Sequence, residues 1–191
     1  LSQKNKFLWN TDVDNQQEFQ IYVDEQMNIH KKKWGIAGYL EKRDSLLRNL
    51  PQMIREGRLF HLGIDLIVPL NTKLYAPLKA TIAESGYEEG KGNFGGYCLL
   101  KHEGDFDTFY SLYGHLNPNK LRQPGTTIEQ GQEFAEIGDF KDNGDWFYHT
   151  HLQVLTERGY REGFISKGYC TPELLPEIDQ ICPNPLFLLK Y

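Results

Sequence analysis

Cysteine is scarce in this 191-residue sequence: only Cys98, Cys170 and Cys182 occur, and none stands in a C-x-x-C pair. Three scattered thiols exclude a disulfide-built scaffold and a cysteine zinc knuckle. Cys170 and Cys182 are near enough to pair across a short loop if the protein is exported; otherwise all three are reduced, partly buried thiols. Long apolar runs are also missing. No stretch reaches the ~20 consecutive apolar residues that cross a bilayer, and Leu1 to Asn10 hold no apolar signal core, so no membrane span is expected. Basic runs stop at Lys31-Lys32-Lys33, and 21 Lys and Arg face 26 Asp and Glu for a formal charge of −5, which leaves no electrostatic footprint for nucleic acid. No solenoid or propeller period and no low-complexity tract is present. The chain starts on Leu1 rather than Met, so a trimmed leader or a fusion partner leaves the compartment open: periplasmic or extracellular with a leader, cytoplasmic in a fusion-type protein.

What remains is ordinary in composition and long enough for one sizeable core with decorations. Phe19, Tyr22, Val23, Gln26, Met27 and His30 fall at helical spacing within Thr11–Lys33, with Thr11 or Asp12 as the cap. Gly35 and Gly38 break that pattern, and Glu41–Ile54 reads as a second short helical or irregular stretch closed by Pro51. From Phe60 the texture becomes short β-rich runs between Gly, Pro, Asn and Asp, as in an antiparallel all-β domain. Strands are expected at Leu66–Val68, Lys73–Tyr75, Ala80–Glu84, Gly96–His102, Thr108–His115, Glu133–Ile137 and His149–Thr156. The proline-punctuated tail wraps the sheet. The expected organisation is a helical N-terminal extension over 1–55, an all-β, mainly antiparallel core over 56–160 and a wrapping tail over 161–191. A helix outside the core also raises the hypothesis of an inhibitory segment that blocks the groove.

Four of the six histidines fall in three short pieces: His61-Leu62-Gly63-Ile64-Asp65, Tyr113-Gly114-His115-Leu116 and His149-Thr150-His151-Leu152. Side chains alternate along a strand, so His149 and His151 point the same way while Thr150 points away. His61 and Asp65 supply a nitrogen and an oxygen at the entry to a strand, with Gly63 giving the chain room to turn. Two imidazoles and a carboxylate make a three-ligand zinc site whose fourth position is free for water, which is the arrangement of hydrolytic zinc. The two remaining histidines then suit proton transfer and charge stabilisation.

The order H-x-G-x-D, Tyr-Gly-His-Leu, Gly131-Gln132 before Ile137-Gly138, and a late H-x-H resembles the M23 peptidases of the LytM/lysostaphin type, from Arg58 to about Thr156. The resemblance implies a LytM-like (duplicated hybrid motif) fold and one Zn2+ per chain on His61, Asp65 and His151. It also implies a catalytic pair, His115 and His149, and hydrolysis of peptide bonds in peptidoglycan cross-links or stem peptides. The flanking Trp34–Glu41, the run from Pro69, and Cys182-Pro183-Asn184-Pro185 resemble the M23-like module of bacterial kinase and aminotransferase fusion proteins, which implies a fusion or partner domain and a substrate that need not be murein. The last motif departs from the family's Pro-His-Leu-His-Phe-Glu at Tyr148, Thr150, Leu152 and Gln153, a change expected to bear on substrate preference. Alternative functions are a zinc hydrolase of a small amide, an ester or a non-murein peptide, and a non-catalytic binding module, against which the complete ligand set weighs.

Other polar groups read as structural. His30 and His102 belong to no motif and are expected at the surface or hydrogen-bonded. Asp139, Asp142 and Asp145 miss the calcium-loop spacing and are expected in a solvated loop. Gly90-Lys91-Gly92 lacks the rest of a phosphate loop. Trp146 and Tyr148 fit the core or the lining of a substrate groove equally well.

Overall fold

A computed structural model describes residues 12, 14–48, 50–105 and 107–189. Its centre is a seven-stranded, antiparallel sheet in the order β1-β3-β10-β7-β6-β5-β8. The strands are β1 (Gly35–Ala37), β3 (Ile64–Ile67), β5 (Ala80–Glu88), β6 (Gly95–His102), β7 (Phe109–Leu116), β8 (Thr127–Ile128) and β10 (His149–Thr156). Two small ladders flank it, β2 (Phe60–His61) with β11 (Tyr169–Cys170), and β4 (Lys73–Tyr75) with β9 (Glu133–Glu136). The core is therefore mainly antiparallel β.

Both faces of the sheet are covered, so its middle strands β6, β7 and β10 are buried at nearly every position. Thr150, Leu152 and Val154 of β10 share one face, where Leu152 and Val154 join Leu100, Tyr113, Phe134 and Ile128 in a core cluster. On the other face Leu155 packs with Leu99, Leu112, Phe164, Ile178 and Ile181, the last three from the segment that follows β10. Burial of these large side chains at roughly 25 cal/mol per Å² supplies the main driving force for folding. His149, His151 and Gln153 lie by parity on this second face, at its edge.

The N-terminal helix, α1 (Gln16–Ile29), is shorter than Thr11–Lys33. Asn15 is its cap, accepting from the Gln17 and Glu18 amides, whereas Asp12 stands three residues outside and Thr11 lies outside the described residues. Phe19, Tyr22 and Val23 face Phe147 and Ile67. Pro51 opens a helix, α2 (Pro51–Arg55), instead of closing one: at the first helical position its missing N–H costs nothing. The glycine-marked break after α1 holds β1, an edge strand paired to β3. The three cysteines are buried free thiols. Asp142, expected in solvent, is buried, and its carboxylate accepts from the Tyr87 hydroxyl at 3.3 Å. No helix among the described residues is long and apolar enough to cross a membrane.

Candidate metal centre

Strand register brings the motif residues together. Asp65 on β3 stands directly opposite His151 on β10, and His149 opposite Ile67, so one pair of neighbouring strands supplies the carboxylate and both late histidines. His61 arrives from β2, held beside Tyr169 of β11. Gly63 makes this approach feasible: a Cβ there would lie 2.5 Å from the Leu152 carbonyl and 2.7 and 2.8 Å from two atoms of the His151 ring.

His115 reaches the site by a different device. Alternation along β7 puts Tyr113 on the opposite face, so His115 by parity belongs there too. Between the pairs Cys98–Tyr113 and Gly96–Leu116, however, β7 carries one residue more than β6. This bulge, with His115 at φ 63°, turns the imidazole to the site face, where it lies 4.3 Å from the His149 ring centre to centre. A non-glycine residue held left-handed costs about 1 kcal/mol or more, and the surrounding ladder sustains it: the His115 amide donates to the Phe94 carbonyl, and the Gly138 amide donates to that of His115.

Three ligand atoms converge. His61 Nε2 lies 3.0 Å from His151 Nδ1, and Asp65 Oδ1 lies 3.3 Å from each. Donors bound tetrahedrally at about 2.0–2.1 Å from a cation are separated from one another by roughly 3.3 Å, so the triangle has the size of a zinc coordination face. His61, Asp65 and His151 form the one such group found among the described residues.

Neighbouring acceptors settle which nitrogen of each ring carries the proton. His61 Nδ1–H donates to the Gly38 carbonyl (3.0 Å), leaving the Nε2 lone pair inward. Gln153 donates its amide to the Phe164 carbonyl, so its Oε1 accepts from His151 Nε2–H at 3.0 Å, and the His151 Nδ1 lone pair faces the same point. His149 Nδ1–H donates to the Phe147 carbonyl (2.7 Å), leaving Nε2 free at 3.9 Å from Asp65 Oδ1. The buried His115 Nδ1 has no partner among the described residues.

Burial and charge set the protonation states. Burial and then the Arg43 charge push His61 down to about 4, against the pull of Asp65. Burial alone would raise Asp65, but Arg43 and then His61 hold its carboxyl well below the usual range. Burial, and then neighbouring histidines, depress His115 strongly; His149 is lowered mainly by burial. Neutral imidazoles beside an ionised carboxylate are the states that bind a metal cation.

The cluster lines a cleft of about 620 Å³, together with Leu50–Met53, Lys91–Phe94, Trp146 and Gly168–Tyr169. Trp146 lines the cleft and packs on Phe19, whereas Tyr148 stacks on Phe140. None of the described residues of α1 lines the cleft, so that helix does not occlude it. His30 caps α1 and is exposed. His102 is buried between Ser111, Lys79 and Phe109, away from the site. Sequence reasoning missed Gln153 and Arg43. The first was findable, since it shares strand parity with His151; the second carries no local signal.

The family model for Peptidase family M23 matches residues 59–161, more than half of the sequence, and the chain belongs to this family. Among curated proteins it is similar to Peptidoglycan DD-endopeptidase ShyC of Vibrio cholerae serotype O1, at 28% identity over 78 residues, which is 41% of this chain and 16% of that protein. The chain thus matches only a small part of that relative. Among solved structures it is similar to the catalytic domain of lysostaphin from Staphylococcus simulans, at 22% identity and TM-score 0.45, covering 63% of this chain and 80% of that one. A zinc-containing peptidase from Vibrio cholerae is similar at 22% identity and TM-score 0.43, over 51% of this chain and 27% of that one.

Proposed function

We propose that this protein is a zinc-dependent endopeptidase that hydrolyses peptide bonds in peptidoglycan cross-links or stem peptides, with one zinc per chain on His61, Asp65 and His151. The observation that carries the reading is the convergence of three lone pairs at tetrahedral spacing, with both ligand histidines held in the ligating tautomer. Family membership and the name of the ShyC relative, a peptidoglycan DD-endopeptidase, support the same reaction and substrate class.

A zinc ion on this face would polarise the scissile carbonyl and lower the pKa of its water, since three protein ligands leave a position open. His149, neutral and with Nε2 free, accepts a proton from the attacking water. His115, neutral and with Nδ1 unpartnered among the described residues, hydrogen-bonds the oxygen that gains charge, and the proton taken up by His149 passes to the leaving amine. Phe94 and Trp146 on the cleft walls limit water around the reacting groups.

The test is elemental analysis of the wild type beside His61→Ala and His151→Ala, followed by digestion of purified murein and of a panel of small amides and peptides. About one zinc per chain, lost in both variants, with soluble murein fragments released by the wild type alone, is the expected outcome. Zinc bound and murein untouched would move the substrate to another peptide or amide; no zinc even after reconstitution would overturn the reading.

A further inference from the structure

Asp65 has two carboxylate oxygens, and they face different partners. Oδ1 points to His61 Nε2 and His151 Nδ1, whereas Oδ2 accepts from Arg43 Nη1 at 2.7 Å. We propose that Arg43 is the positioning residue of the metal centre: its guanidinium occupies Oδ2, so that Asp65 offers the metal a single oxygen and the coordination position beyond it stays open. The inference rests on the zinc-site reading above.

The arginine is itself held through its Nε, its Nη1 and its main chain, while its buried Nη2 has no partner among the described residues. Only 4% of its surface is exposed. Its Nε donates to Glu41 Oε2 at 3.2 Å, and Nη1 also donates to the Tyr169 hydroxyl at 3.2 Å. The main chain of Arg43 is tied on both sides, its amide to the Leu59 carbonyl and its carbonyl to the amides of Leu46 and Leu47. A side chain held this firmly retains little rotamer freedom, and the carboxylate it grips is correspondingly confined. Left without that grip, an aspartate beside a dication is free to rotate and chelate with both oxygens, which adds a ligand at the expense of the open position.

Arg43 stands outside the residues matched by the family model, 59–161. The segment between β1 and α2 therefore contributes to the chemistry as well as walling the cleft. A purely structural role, in which Arg43 only neutralises a buried charge, would be met by any cation at this place. The positioning role requires the planar fork that lysine lacks.

The full-length chain with Arg43→Met, Arg43→Lys and Tyr169→Phe is the test, with Co2+ as the probe. Cobalt absorbs strongly in the visible when four-coordinate and weakly at higher coordination, so the spectrum reads the ligand count independently of turnover. The wild type should give the strong four-coordinate spectrum. Arg43→Met and Arg43→Lys, shown to be folded by circular dichroism, should bind Co2+ with several-fold weaker bands, and chelator competition should show roughly 10- to 100-fold weaker affinity. Tyr169→Phe, which keeps the charge pair, should change both readouts less. Should Arg43→Met fail to fold, Arg43→Lys decides: a spectrum and affinity equal to those of the wild type in the lysine variant would overturn the inference. Failure of the zinc-site reading looks different, because then the wild type binds no Co2+ or His61→Ala and His151→Ala retain it.

Discussion

His102 and the motif histidines are all buried, and their difference separates a site from a structural contact. His102 donates from Nδ1 to the Lys79 carbonyl, accepts from the Ser111 hydroxyl at 2.8 Å, and stacks on Phe109. Every polar atom of that ring is used inside the protein. At the other cluster carbonyl or amide oxygens take one nitrogen on each of His61, His149 and His151, and the second nitrogens of His61 and His151 converge beside the ionised Asp65 carboxylate, 3.0 Å from each other and 3.3 Å from its Oδ1. Burial is common to both groups; converging, unspent lone pairs belong to one. Buried polar atoms left without partners cost on the order of 1–3 kcal/mol each, and among the ring nitrogens His115 Nδ1 is such an atom.

The comparison breaks most sharply at Gly63. Alanine there places a Cβ against the Leu152 carbonyl, which is strand backbone, and against the His151 ring. Either β10 or the imidazole must shift. Gly63→Ala should abolish stoichiometric zinc binding and cost about 3 kcal/mol in a urea titration. Wild-type zinc content in this variant would mean that His151 does not need its observed place.

Acid offers the next largest effect. The histidines at 61, 102, 115 and 149 all have lowered pKa values in the folded chain, so between their ordinary value of about 6.5 and their folded values the unfolded chain binds more protons. Their stabilisation is fully present above about pH 6.5 and is lost on acidification, down to about 4 for His61. Asp65 acts below this window, because its unfolded carboxyl titrates near 4 and its folded one lower still. Metal-free protein should therefore lose about 1.4 kcal/mol per pH unit for each extra proton on the unfolded chain, read from urea midpoints at about pH 7.5 and about pH 5. His102→Gln should keep most of that slope, since three of the four histidines lie in the other cluster. A flat profile would show those histidines charging inside the folded protein.

Gln153 sharpens the comparison within the site. Gln153→Leu leaves the His151 Nε2–H and the Phe164 carbonyl without their partner and frees the ring to take the other tautomer. Zinc affinity should fall roughly 10- to 100-fold by chelator competition, with the fold retained.

Which of these groups the sequence displays follows from how local each one is. His61 and Asp65 lie four residues apart around a glycine, and His149 and His151 share strand parity, so short motifs reveal them. The same parity covers Gln153. His115 depends on a bulge whose extra residue is countable only against β6, so strand parity alone puts it on the wrong face. Arg43 meets Asp65 across 22 positions from a segment without regular structure, and nothing local distinguishes it from an exposed arginine. The strands repeat this pattern. His149–Thr156 has the limits expected from sequence, its β-branched and apolar residues interleaving with the H-x-H motif. The two- and three-residue strands β1, β2, β8 and β11 owe their existence to partners distant in sequence, and so no local pattern marks them.

The smallest effect is expected at the other histidine. Ser111→Ala removes the donor to His102 Nε2 and leaves a buried acceptor unsatisfied, which should cost about 1–2 kcal/mol and lower the melting temperature by a few degrees. Zinc content and hydrolysis should not change, although Ser111 pairs across the ladder with Val154, one residue beyond Gln153 on the strand that carries His151. Ser111 and Gln153 project from opposite faces of the sheet, and a lost contact on one face leaves the backbone register that aligns Asp65 with His151 in place. If zinc binding falls together with stability in Ser111→Ala, the strand transmits the disturbance, and His102 and the motif histidines are one cooperative polar system instead of a packing contact and a site.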